Sequence, residues 1–192
     1  MSITPESLLT LEAYARVRDG ERPAVRAHRR LRSLRLGELL HLQFEDERTV
    51  RHQIQEMLRA ERTFEPAGIQ AEIDAYAPLL PDGSDWTATL FIEVPDPDLR
   101  RRELVRLAGV EDRLFVQVDG HEQVLAQADR DAAHRPVGKT SAVHFLRFVL
   151  TPAMRAAVKA GAGVVVGCDH VAYAAQAPIP AAMLASLAAD LH

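Results

Sequence analysis

The stretch Phe44–Arg62 (FEDERTVRHQIQEMLRAER) constrains the fold more than any other part of the chain. Val50, Ile54, Met57 and Leu58 recur at the spacing of one helix face, and charged or amide side chains fill the rest. Asp46 or Glu47 can cap this helix by accepting from its first free amides, and the pattern runs to about Glu61. A short helix with a single apolar stripe is stable only when that stripe lies on a core, so a partner layer is required. Pro66 opens a second helix, Ala67–Ala77, with Ile69, Ile73 and Tyr76 or Ala77 facing in. Thr63–Glu65 would join the two as a hairpin.

The partner layer is a sheet. In Trp86–Val94, Ala88, Leu90 and Ile92 alternate with Thr87, Thr89, Phe91 and Glu93, the period of a strand. Leu36–Phe44 alternates less regularly and is expected as one strand, with Leu40, Leu42 and Phe44 on one side. Further strands are expected at Leu114–Val118 and Glu122–Gln127 around the Asp119-Gly120 turn, at Ser141–Leu150 and at Val164–Gly167. Helices are expected at Asp98–Ala108, with Leu99, Leu104 and Leu107 as core candidates, at Pro152–Lys159 and at Pro180–Leu191. Ala128–Lys139 reads as a loop. At the N-terminus, Thr4 caps a helix that Asp19-Gly20 breaks, and a second helix follows from Pro23 to about Ser33. Helices and strands mix without a sustained βαβ rhythm. The expected fold is therefore one α+β domain over residues 1–192: a mixed or mostly antiparallel sheet covered by helices, with residues 1–35 a helical, arginine-rich extension.

With 192 residues, 47% of them hydrophobic, the chain can bury a substantial core. Cys168 is the only cysteine, so neither an intramolecular disulfide nor a thiolate metal cage can form within it. No basic-then-apolar leader opens the sequence, and no apolar run approaches the roughly 20 residues of a membrane span. Cytoplasm is the expected location. The net charge of −4 conceals a basic start: Arg16, Arg18, Arg22, Arg26, Arg29, Arg30, Arg32 and Arg35. Such a run is ordinarily a solvated helix face, and it is also a local field that can recruit an anion or an acidic partner.

The usual catalytic signatures are missing: there is no phosphate-cradling glycine loop, dinucleotide fingerprint, His-Glu-x-x-His or Gly-x-Ser-x-Gly. Three constellations remain. His52 and Glu56 stand one turn apart on the Phe44–Arg62 helix, with Glu45 before it and Glu61 near its end. His144 lies on a strand apolar on both faces, expected to be central and covered on both sides, with Arg147 opposite and Glu93 as a potential partner. Cys168-Asp169-His170 closes the strand Val164–Gly167 as a potential site, and reads more readily as an aspartate-centred turn. Arg48, Arg59 and Arg62 form a basic ridge on the outer side of the helix. Its intervening glutamates and lack of aromatics disfavour nucleic acid as its target.

Phe44-Glu45, Thr49-Val50, Gln53–Met57, Arg59-Ala60-Glu61, Ala88–Glu93, Ser141–His144, Arg147-Phe148, Asp169-His170 and Tyr173 together resemble the bacterial family called domain of unknown function 3501. The resemblance spans nearly the whole chain. It implies an accessory role beside rubrerythrin-like proteins and iron–sulfur oxidoreductases, near which family members are often encoded. It also implies that His52 replaces an aromatic or apolar residue, and that Val171-Ala172 replaces a pair such as Pro-Asn. The shared polar set is Glu45, Glu56, Glu61, Glu93, His144, Arg147, Asp169 and His170. If these converge they could hold a divalent or iron centre; if the arginines pair the carboxylates, they form a structural ion network. The expected function is thus an interaction partner in a redox system, docking through Arg48, Arg59 and Arg62. The alternatives are a metal-binding or oxidoreductase component, and a nucleic-acid module using the N-terminal arginines.

Overall fold

The structure, a computed structural model, describes residues 3–128 and 138–192. In chain order its helices are α1 (Leu11–Leu31), α2 (Glu47–Glu61), α3 (Pro66–Tyr76), α4 (Pro97–Arg106), α5 (Pro152–Lys159) and α6 (Ala181–Ala188). Its strands are β1 (Ser33–Leu36), β2 (Leu40–Phe44), β3 (Asp85–Ile92), β4 (Leu114–Val118), β5 (Gln123–Leu125), β6 (Gln127–Ala128), β7 (Val143–Val149), β8 (Val164–His170) and β9 (Tyr173–Pro178). Among the described residues they form two antiparallel sheets, ordered β1-β2-β3-β7-β6 and β5-β4-β8-β9. This is the expected α+β class, with two sheets in place of one.

Strand alternation divides the molecule. Leu40, Leu42 and Phe44 of β2, Ala88, Leu90 and Ile92 of β3, and Leu146 and Phe148 of β7 share one core with Val116, Val166 and their neighbours from the second sheet. The intervening residues of the first sheet turn the other way, toward a helical layer. There Val50, Ile54 and Leu58 of α2 join Ile73 of α3 and Leu79 in a second apolar cluster, against which Phe145 packs. Three of the four expected α2 stripe residues are therefore in place, Met57 being only half-buried and outside the cluster. The helix starts as expected: the Asp46 carboxylate accepts from the Thr49 amide at 2.9 Å.

Several elements depart from expectation. The N-terminal residues make only a short turn at Pro5–Ser7, and α1 then runs unbroken through Gly20 and Pro23. An internal proline costs a helix about 3 kcal/mol. Here tertiary contacts hold the helix on both sides of the break: Tyr14 and Arg18 bind Glu56 before it, and Val25 and Arg32 are buried after it. The expected strand Leu36–Phe44 is a hairpin, because Gly37 turns at a φ of 63°. A Cβ there would lie 2.3 Å from the Tyr173 hydroxyl oxygen. That hydroxyl accepts from Leu39 N–H at 3.1 Å and donates to Leu36 O at 2.6 Å, closing the turn and joining the sheets. β7 is fully covered on one face only, since Val143 and Val149 remain exposed. β9 was not expected, its alanines giving little apolar contrast, and Leu99 of α4 is exposed. Residues 129–137 of the expected loop lie outside the described residues.

Arg32 is not part of a solvated face. It is 1% exposed. Its guanidinium donates to Phe44 O (3.3 Å), Glu45 O (3.0 Å), Ser186 O (3.2 Å) and Ser186 Oγ (3.0 Å), and pairs with Asp190. Asp46 lies 3.6 Å away. Removing one partner of a buried ion pair strands the other, at a cost of about 3–5 kcal/mol. Arg32→Ala should lower the free energy of urea unfolding by about that amount, whereas Arg30→Ala, on the exposed side, should stay within about 0.5 kcal/mol.

Candidate functional site

The length of α1 creates an arginine-rich surface feature. Its buried stripe carries Tyr14 and Val25, and the half-buried Arg18 lies on the same side. Arg22, Arg26, Arg29 and Arg30 fan out beside that stripe and line an open groove of about 520 Å³. Its other wall comes from Ser33, His41 and Gln43 on the outer face of β1 and β2, and from His52, Gln53 and Glu56 on α2. Arg22 is 3.9 Å from Asp19. Among the described residues Arg26, Arg29 and Arg30 form no ion pair. Arg48 and Arg59 are exposed on the α2 stripe that carries His52, and Arg62, also exposed, ends the helix in a left-handed conformation.

His52 and Glu56 do meet, around Tyr14. The Tyr14 hydroxyl donates to Glu56 Oε1 at 2.6 Å and lies 3.2 Å from His52 Nδ1. Arg18 takes both Glu56 oxygens, at 2.6 and 2.7 Å. This clamp, against the opposing effect of burial and with help from the Tyr14 hydrogen bond, holds the Glu56 carboxyl at about 2. Burial pushes Tyr14 upward, and the Glu56 hydrogen bond adds to it. Burial likewise depresses His52. The cluster is a satisfied ion network, with Glu56 bound to a guanidinium and not available to a metal.

A second row crosses three strands. The Ser33 hydroxyl lies 2.5 Å from His41 Nε2, and His41 Nδ1 lies 2.9 Å from Glu93 Oε1. Since a carboxylate only accepts, Nδ1 carries the proton and Nε2 accepts from Ser33. Arg35 holds the other oxygen of Glu93. The hydrogen bond from His41, against burial and with Arg35 assisting, lowers the Glu93 pKa. Ser33 and His41 were missed as site residues in the sequence. Their signal was polarity at the outward positions of an otherwise apolar hairpin.

The other sequence candidates sit apart. Glu45 is buried at the end of β2, where Thr89 Oγ1 donates to it at 2.8 Å. Arg147 pairs with Asp85 and donates to Pro78 O at 2.9 Å, so its carboxylate partner is not Glu93. His144 Nε2 lies 2.7 Å from Thr140 Oγ1, which donates to Glu111 at 2.8 Å. His170 is fixed structurally: Nδ1 accepts from Ala172 N–H and Nε2 donates to Ala108 O, both at 3.2 Å. It lies within the β8–β9 hairpin and not beyond a strand end. Cys168 is buried, which pushes its thiol up, and it donates to Tyr173 O. Glu61 and Asp169 are exposed. No two of the eight shared polar residues are linked by a hydrogen bond or ion pair among the described residues, and no three His, Cys, Asp or Glu side chains there form a metal-ligand group. The residues do not fit the divalent or iron centre that convergence would have supplied.

The family model described as a protein of unknown function (DUF3501) matches residues 2–191. The chain belongs to this family. A solved structure, a novel protein of unknown function from Burkholderia pseudomallei, is 52% identical over 100% of both chains with a TM-score of 0.95. No curated protein matches the chain significantly. Within this family fold, several shared motif residues have structural duties: Phe44, Val50, Ile54 and Ala88–Ile92 pack, Gln55 binds Leu9, and Tyr173 closes the β1–β2 turn. Among the described residues no helix is long and apolar enough to cross a membrane.

The Glu56 clamp has a pH signature. A carboxyl depressed in the folded state stabilises it above the unfolded value, and that stability is lost as pH falls through the folded one. From the ordinary value of 4.5 to about 2, the urea midpoint of the native chain should fall more steeply than that of Glu56→Gln. The two curves should converge near the lower limit.

Proposed function

We propose that this chain is an interaction protein that docks an acidic partner in the groove between α1 and the outer face of the β1–β2 hairpin. The observation that carries this reading is the set of unpaired guanidiniums at Arg26, Arg29 and Arg30, beside partially paired Arg22. By contrast, Arg18 of α1 and Arg32, which caps its C-terminal end, have carboxylate partners. Concentrated positive charge that no internal carboxylate neutralises favours an anionic surface and raises its rate of encounter. Arg48 and Arg59 extend that field along α2. The partner class implied by the family resemblance is a rubrerythrin-like or iron–sulfur protein of the same cell.

Pull-down and titration against those purified proteins test both parts. Binding should weaken as salt rises, and Arg26→Glu with Arg30→Glu should reduce it at least tenfold. Arg48→Glu with Arg59→Glu and Arg62→Glu should reduce it less. Binding indifferent to all five reversals would remove the docking surface. Capture of single-stranded DNA or RNA in preference to the redox proteins would move the assignment to nucleic acid.

The Ser33–His41–Glu93 row favours a second reading, acyl transfer on an anionic ester held by the groove. Ser33 Oγ would attack the carbonyl carbon and lose its proton to His41 Nε2. The proton would pass to the departing alkoxide, and water would hydrolyse the acyl-serine. Glu93 would hold the imidazolium, weakened in this by sharing its charge with Arg35. A fluorophosphonate probe decides the matter. Labelling that disappears in Ser33→Ala supports acyl transfer, and an unlabelled native chain excludes an activated serine.

A further inference from the structure

A separate, more enclosed cavity of about 190 Å³ lies between the helical layer and the first sheet. Its apolar walls include Val50 of α2, Tyr76 of α3, Phe91 of β3 and Val143 and Phe145 of β7. Its polar groups are Glu45, Thr89, Gln53 and Arg29. Alternation explains the placement: Thr89, Phe91, Val143 and Phe145 all project from the outer face of the sheet, and β2 brings Glu45 to the same side.

Glu45 is the unusual member. It is only 6% exposed, yet its carboxylate accepts a single hydrogen bond, from Thr89 Oγ1, on one oxygen. The second oxygen has no hydrogen-bond donor among the described residues and keeps some exposure, on a side chain that lines the cavity. A carboxylate offers about four acceptor positions, and burying one with so few donors is costly unless a positive donor completes it. Arg29 lines the same cavity but does not pair with Glu45, and it has no other carboxylate partner among the described residues. The cavity thus presents one negative and one positive group at an apolar chamber. A lone amine would satisfy Glu45 while meeting the Arg29 charge; a lone carboxylate would do the reverse. A molecule bearing both signs and an apolar body suits all three surfaces.

We propose that this cavity is a binding site for a free apolar α-amino acid, its ammonium on Glu45, its carboxylate on Arg29 and its side chain against Phe91, Phe145 and Val50. The size agrees, since a cavity of about 150 Å³ takes a benzene ring. An aromatic or branched aliphatic side chain therefore fits, with the carboxylate toward the groove that Arg29 also lines. Docking of a protein in the groove is a different event, and the site stands or falls without it.

Isothermal titration of the purified chain alone tests the assignment. The probes are L-phenylalanine and L-leucine, with phenethylamine (no carboxylate), 3-phenylpropionate (no ammonium) and L-glutamate (no apolar side chain) as comparators. At least one apolar amino acid should bind saturably, and the comparators at least tenfold more weakly. Glu45→Gln keeps an acceptor for Thr89 and removes the charge, and it should cost the amino acid at least tenfold. Arg29→Gln should weaken the amino acid while leaving phenethylamine unchanged or improved. Val143→Trp at the exposed rim should abolish binding by filling the chamber, which keeps the test open if the Glu45 variant does not fold. Absence of saturable binding by both amino acids would overturn the proposal. So would equal affinity in the Val143→Trp or a folded Glu45→Gln variant, or 3-phenylpropionate binding as tightly as phenylalanine.

Discussion

One buried guanidinium ties the molecule together. Arg32 follows the last turn of α1, and its donors reach the carbonyls at the end of β2 and, across 154 positions of sequence, Ser186 of α6. Asp190 supplies the countercharge, with Asp46, the cap of α2, close by. A cation so thoroughly desolvated is tolerable only when its donors are all met and its charge is balanced. The constraint is therefore mutual: α1, β2, α2 and α6 must meet at this point for any of them to be placed. Trp86 reinforces the same junction, its indole N–H donating to Leu187 O at 2.9 Å.

That junction and the Glu56 clamp fix the two ends of α1, and so explain how the helix survives Pro23. Once it is continuous, helical phase decides which arginine does what. Arg18 points toward the protein with Tyr14 and Val25, and is consumed by Glu56. Arg22, Arg26, Arg29 and Arg30 emerge on the flank, above strands whose outward residues are Ser33, His41 and Gln43. Two helices in place of one would have dispersed these side chains. The groove is thus a consequence of structural ties made far from it in sequence.

The parts legible from sequence were those set by local pattern. The α2 stripe, its Asp46 cap, the alternation of Trp86–Val94 and the Asp119-Gly120 hairpin all specify geometry within a few residues. The continuity of α1 could not be read this way, because the local cost at Pro23 is visible and the compensating contacts with Glu56 and Asp190 are not. The Gly37 turn was hidden for a similar reason, since its need for glycine arises from Tyr173, in another sheet. For the candidate site, Glu93 was noted, but its partners Ser33 and His41 became evident only when strand order was known. Glu45 looked like one acid among several. Its distinction is burial with one donor, which sequence does not display.

Net charge would argue against an acidic partner, since the chain carries −4 overall. The argument fails on distance. At physiological ionic strength exposed charges are screened over about 8 Å, so an approaching surface responds to the charges it nears and not to the sum. Within the groove four guanidiniums face one carboxylate, Glu56, which Arg18 already engages, and acids elsewhere are engaged too: Glu93 with Arg35 and His41, Asp85 with Arg147. Internal pairing thus removes acids and arginines unequally along the chain, leaving a positive recess on a negative protein. Arg29 stands where that recess adjoins the Glu45 cavity, and its side chain belongs to the walls of both. A charge placed in either space would therefore meet the same guanidinium.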